Sequence, residues 1–143
     1  MRTIIAALAL LALAGCASTS GGSGGVEDRV VYHFNEGLEQ ATNGIRNINN
    51  HLEVNPKAKI AVVSHARGVD FLMKDARDKN GNPYSVAVED LTARGVTFEV
   101  CEITLRNRKL TKAQFIEEVS YVPSGVAEIT KKQQREGYAY LKP

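Results

Sequence analysis

Lys59-Ile60-Ala61-Val62-Val63-Ser64 is apolar on successive positions rather than on alternate ones. A strand buried on one face alternates apolar and polar residues. A run that is apolar on both faces belongs in a parallel sheet covered on each side. Two other runs read as strands: Arg29–Phe34, which is β-branched and aromatic, and Val96–Cys101. Between the first two, Leu38, Ala41, Ile45, Ile48 and Leu52 recur at intervals of three and four. That spacing predicts an amphipathic helix over 36–53, stopped by Asn55-Pro56. A short helix is expected over 68–74, turn chemistry over 78–83, and a helix over 84–93 ended by Gly95. Beyond Cys101 the chain reads as helix to Arg108, then a short helix capped by Thr111 and running to Ile116. A strand over 118–122 stops at Pro123, a helix over 126–136 is capped by Ser124 and ended by Gly137, and a last strand covers 138–141. Strands alternating with helices predict an α/β fold with a mainly parallel sheet of about five strands.

The 143 residues, 24% of them charged and 43% apolar, suit one domain and exclude a disordered or disulfide-dense class. A formal net charge of +2 leaves no electrostatic footprint for nucleic acid. The domain is placed at 26–143. Before it, Arg2 precedes the apolar run Ile4–Leu13, which gives way to Ala14, Gly15 and Cys16. As a helix that run rises about 15 Å, half of a hydrocarbon core of about 30 Å, so it reads as an export signal and not a membrane span. Leu13-Ala14-Gly15-Cys16 resembles the lipobox of bacterial lipoproteins. The resemblance implies a signal peptide over 1–15, lipidation at Cys16, and a membrane partner reached through acyl chains. It also implies a location facing the periplasm, with Ala17 leaning toward the outer membrane. Residues 16–25, rich in Ser and Gly, form a flexible tether.

In open parallel sheets, ligands bind beyond the carboxyl ends of the strands. Those ends carry His33, then Ser64 and His65, then Cys101. With Cys16 lipidated, Cys101 has no partner in the chain. It is either a buried small hydrophobe or a reactive thiol, activated by the helix that starts after it. Arg106 and Arg108 add positive potential and Glu102 opposes it. The reactive reading expects a partly accessible thiol titrating below about 8.5. A Cys-His-His set has long spacings and no fourth ligand, so no metal is assigned, and no cofactor. His51 reads as a solvated or dipole-pairing side chain, and Lys131, Lys132 and Arg135 as a solvated helix face.

Val30-Val31-Tyr32-His33, Val62-Val63-Ser64-His65 and Gly95–Cys101 with Thr104-Leu105 resemble the DsrE/DsrF-like family. So do Val122-Pro123-Ser124-Gly125-Val126-Ala127-Glu128 and the ending Gln133–Pro143. The resemblance implies a three-layer α/β/α sandwich and a homotrimer or hexamer. It matches Cys101 to the strand-end cysteine that some relatives use to carry sulfur as a persulfide. His33 and His65 are then candidates to take the thiol proton or hold a neutral partner. The chain departs from the family at Ala66-Arg67-Gly68, where relatives often have a more Gly-rich turn. It departs again in its export signal, since sulfur-relay members are cytoplasmic, which argues against a transfer-RNA role. Two functions follow as expectations: a sulfur carrier with an unidentified donor and acceptor, or a non-catalytic assembly module with a structural Cys101. A third, a redox sensor oxidised at Cys101, is less favoured.

Overall fold

A computed structural model of the protein describes residues 27–143. The expected signal peptide, Cys16 and the tether lie outside the described residues. Five strands, β1 (Arg29–Phe34), β2 (Lys59–Ser64), β3 (Thr97–Cys101), β4 (Val119–Val122) and β5 (Ala139–Leu141), form one sheet. Its order is β4-β3-β2-β1-β5, and every pairing is parallel. The expected sheet is therefore present, wholly rather than mainly parallel. The helices are α1 (Leu38–Val54), α2 (Tyr84–Ala93), α3 (Glu102–Arg108) and α4 (Gly125–Arg135).

The strand order explains an uneven covering. The steps β1 to β2 to β3 to β4 all move one way across the sheet, so right-handed crossovers put their helices on one face. The connection from β4 to β5 runs back to the opposite edge and carries α4 on the other face. The first face holds the main core, including Tyr32, Phe34, Ile60, Val62, Phe98 and Val100. Phe71 is its hub, with ring centroids 5.2 Å from Phe34, 5.8 Å from Tyr84 and 6.2 Å from Phe98. Such tilted and edge-on pairs each add about 0.5–1.5 kcal/mol beyond their buried area. Under α4 the apolar cluster is small: Val31, Val63 and Ile129, with Tyr138 against it. Polar and reactive side chains are left room on that face. The register His33↔Val63↔Glu99↔Ser120 aligns one row of residues there, and Cys101 is two residues beyond Glu99 on the same face.

Three local expectations are corrected. Helix α1 starts at Leu38 rather than residue 36, because the Gln40 side-chain oxygen accepts the amide hydrogens of Asn35 and Glu36 at 2.9 and 2.8 Å. The segment expected as a short helix over 68–74 is a 3-10 helix over Ala66–Leu72, pressed against the end of β1 at Gly68. The Thr111 helix shrinks to a single 3-10 turn, Lys112–Gln114, held by a capping box between Thr111 and Gln114.

Candidate functional site

Cys101 ends β3 and stands immediately before the first turn of α3, where a Ser or Asp would cap the helix. Its side chain makes no capping hydrogen bond, but its sulfur lies close to the amides that open the helix. Burial pushes the thiol pKa up. The backbone N–H groups of Gly125, Thr104 and Ile103 and the Thr104 hydroxyl, gathered around the sulfur, outweigh it, so the thiol lies below its ordinary value. Thr104 Oγ1 accepts the Ala66 N–H at 2.9 Å, which leaves its own hydrogen for the sulfur. The lowering thus comes from amides of two helix starts, and not from the arginines the sequence suggested. Arg108 instead bonds Asp70 at 2.5 Å and the Ala66 carbonyl at 2.9 Å.

A partly accessible thiol was expected, and the structure corrects this. Cys101 is only 4% exposed. Gly125, at the start of α4, lies over it; a Cβ there would stand 3.3 Å from the Cys101 Cβ and 3.2 Å from that of His65. Cys101 instead opens onto a cavity of about 410 Å³ that is lined also by His65, Arg67, Ile103, Thr104 and Val126. One wall is apolar, and the cavity lining includes two arginines but no carboxylate. Ala66, at its edge, has φ +50°, a left-handed conformation that a non-glycine residue holds at a cost of about 1 kcal/mol.

The two histidines are brought together, though not onto the sulfur. His33 Nε2 and His65 Nε2 are 2.7 Å apart, and His33 Nδ1 is 2.7 Å from the Tyr140 hydroxyl. The ring centroids are 4.8 Å apart. One ring radius at each end of the bond accounts for that distance, so the imidazoles meet tip to tip and are not stacked. Burial, the His65 charge and Lys142 hold the His33 pKa down to about 4, and burial and Lys142 lower that of His65. Both imidazoles are therefore neutral at pH 7. Lys142 is itself paired with Glu36 at 2.7 Å. Among the described residues, no three His, Cys, Asp or Glu side chains converge to hold a metal ion.

The sequence placed Cys101, His33 and His65 on one rim, and the structure has them there. It missed Gly125, Thr104 and Tyr140, which approach from α4, α3 and β5. For Gly125 a signal existed in Ser124-Gly125, a helix start after a strand.

A family model for DsrE/DsrF-like proteins matches residues 6–143. The chain belongs to the DsrE/DsrF-like family. A solved structure, that of a protein of unknown function, MTH1491, from Methanobacterium thermoautotrophicum, is 33% identical. It superposes with a TM-score of 0.72 over 82% of this chain and 100% of its own. The ychN protein from E. coli shares the fold at 16% identity, with a TM-score of 0.67 over 81% of this chain and 99% of its own. No curated protein matches the chain.

Proposed function

We propose that this DsrE-like protein carries sulfane sulfur on Cys101 at the bacterial envelope. The observation behind this reading is the amide cluster that favours a Cys101 thiolate at the wall of a cavity. The thiolate attacks the outer sulfur of a persulfide donor. An S–S bond forms to Sγ, the donor's own S–S bond breaks, and the donor leaves as a thiolate that takes one proton. The acceptor runs the same exchange in reverse. Exposed to polysulfide, the domain is expected to gain about 32 Da per sulfur atom, removable by a thiol reductant. Cys101→Ser abolishes the gain. Intact-mass measurement with parallel pH-dependent alkylation decides the matter. The burial of Cys101 favours a second reading, an assembly module with an inert thiol. A folded domain that resists alkylation and takes up no sulfur would establish that reading instead.

Envelope attachment is the second half of the proposal and rests on Leu13-Ala14-Gly15-Cys16. Several acyl chains on Cys16 exceed the two signals needed for stable anchoring. Mass spectrometry of the mature protein should find acylated Cys16 as the first residue. An unmodified amino terminus at Gly15 or Ala17 excludes the anchor.

A further inference from the structure

Strand order β3-β2-β1-β5 sets Cys101, His65, His33 and Tyr140 on successive neighbouring strands. Cys101 ends β3, His65 follows β2, His33 is on β1 and Tyr140 on the edge strand β5. Two 2.7 Å contacts join the last three into one chain. One end, Tyr140, is 40% exposed, and the other, His65, lines the Cys101 cavity. We propose that Tyr140–His33–His65 is a proton path, with His65 protonating the thiolate that leaves when Cys101 accepts sulfur and Tyr140 and His33 positioning and recharging it. The inference rests on the carrier reading of the same cavity, but its chemistry is that of any thiolate leaving from an attack by Cys101.

The division of labour follows from the contacts. Amides and the Thr104 hydroxyl already favour the Cys101 thiolate, and His65 is bonded to His33. A base for the thiol is therefore not what the site lacks. The species left in need of a proton is the departing thiolate, because a thiol with a pKa of about 8.5 is a poor leaving group when it departs as the anion. His65 is the ionisable imidazole on the wall of that cavity.

The chain moves a proton without charging either ring. A neutral imidazole carries one N–H and one bare nitrogen, so the Nε2···Nε2 contact has hydrogen on one side only. With the Tyr140 O–H donated to His33 Nδ1, the His33 Nε2–H is donated to His65 Nε2, and His65 holds its own hydrogen on Nδ1. When that Nδ1 proton passes to the leaving thiolate, His65 takes the His33 hydrogen at Nε2. His33 takes the Tyr140 hydrogen at Nδ1, and Tyr140 takes one from water. One proton enters at the sheet edge and one leaves at the cavity. The acceptor thiol, losing its proton as it removes the sulfur, returns the chain to its starting tautomers. Burial beside Lys142, which disfavours a charged pair, suits this neutral exchange.

The test uses full-length protein and two disulfide probes, with modification of Cys101 followed by peptide mass spectrometry. A dialkyl disulfide expels a basic thiolate, whereas an aryl disulfide expels one that needs no proton. His65→Asn is expected to slow the dialkyl reaction about 100-fold. Tyr140→Phe and His33→Asn should each slow it about tenfold, and all three should leave the aryl reaction within about twofold of wild type. Equal slowing with both probes, or no slowing with either, overturns the proton path. Tyr140→Phe removes one hydroxyl from a residue on the exposed edge strand, so the test survives if a histidine variant fails to fold. Variants slowed only with the dialkyl probe, together with wild-type protein that takes up no sulfur from polysulfide, would keep the path and end the carrier reading. Sulfur uptake without that selective slowing would do the opposite.

Discussion

Gly68→Ala is expected to destabilise the domain by about 3 kcal/mol or more, although it adds one methyl group. A Cβ at Gly68 would overlap the Phe34 carbonyl and crowd the Asn35 amide nitrogen, 2.5 Å away. These are backbone atoms, so no rotamer change relieves the overlap. Nor can the strand end retreat. β1 is paired on both sides, and the Phe34 oxygen accepts the His65 N–H at 2.9 Å. The 3-10 helix must move instead, which pulls Phe71 away from Phe34, Tyr84 and Phe98. The same shift separates Ala66 from Thr104 and so disturbs the donors around Cys101. Urea denaturation should show a large fall in midpoint at unchanged slope. A loss below about 1 kcal/mol would mean that the 3-10 helix yields without consequence for the core.

Gly68 also marks where reading the sequence stops being enough. The strands were legible because Ile60–Val63 needs apolar surroundings on both faces, and Phe98 and Val100 need them on one, demands local to each run. The rim was legible for the same reason: strand ends follow from strands, and they place His33, His65 and Cys101 together. What was not legible depends on contacts distant in sequence. Gly68 reads as one more loop glycine until the end of β1 is laid against it. Tyr140 reads as a pattern residue of a short edge strand until β5 is set beside β1, a pairing that skips over three other strands in chain order. Lys132 is the clearest failure. In sequence it belongs to a basic, solvated helix face together with Lys131 and Arg135, and the last two do remain exposed. Lys132 is 7% exposed, because the one helix on its side of the sheet must turn some residue inward over Glu99. A charge on a strand otherwise apolar on both faces was the available signal.

Replacing Lys132 with Met should cost about 3–5 kcal/mol at neutral pH, the usual penalty for leaving a buried charge without its partner. Lys132 Nζ is 2.9 Å from Glu99 Oε1 and 3.6 Å from Glu128 Oε1, and it also lies 5.3 Å from the centre of the Tyr138 ring. Glu99 is 9% exposed, and its second oxygen, Oε2, is buried without a hydrogen-bond partner. Burial holds the Glu99 pKa above its ordinary value even with Lys132 beside it. Without the ammonium it must rise further. An acid whose folded pKa exceeds its unfolded one stabilises the fold at low pH and loses that contribution as pH rises through the folded value. The deficit of Lys132→Met relative to wild type is therefore largest at pH 7 to 8 and shrinks toward pH 5. Adding Glu99→Leu should restore most of the stability at neutral pH, since a well-packed apolar pair can replace a buried ion pair with little loss. The effect reaches the site. Glu99 is two residues before Cys101, and Lys132 is on the helix whose first amide, Gly125, helps hold the thiolate. A loosened α4 withdraws that amide, so the pH midpoint for Cys101 alkylation should move upward in Lys132→Met and return in the double variant. A deficit equal at pH 5 and pH 8, or one below about 1 kcal/mol, would show that the pair does not pin α4 to the sheet.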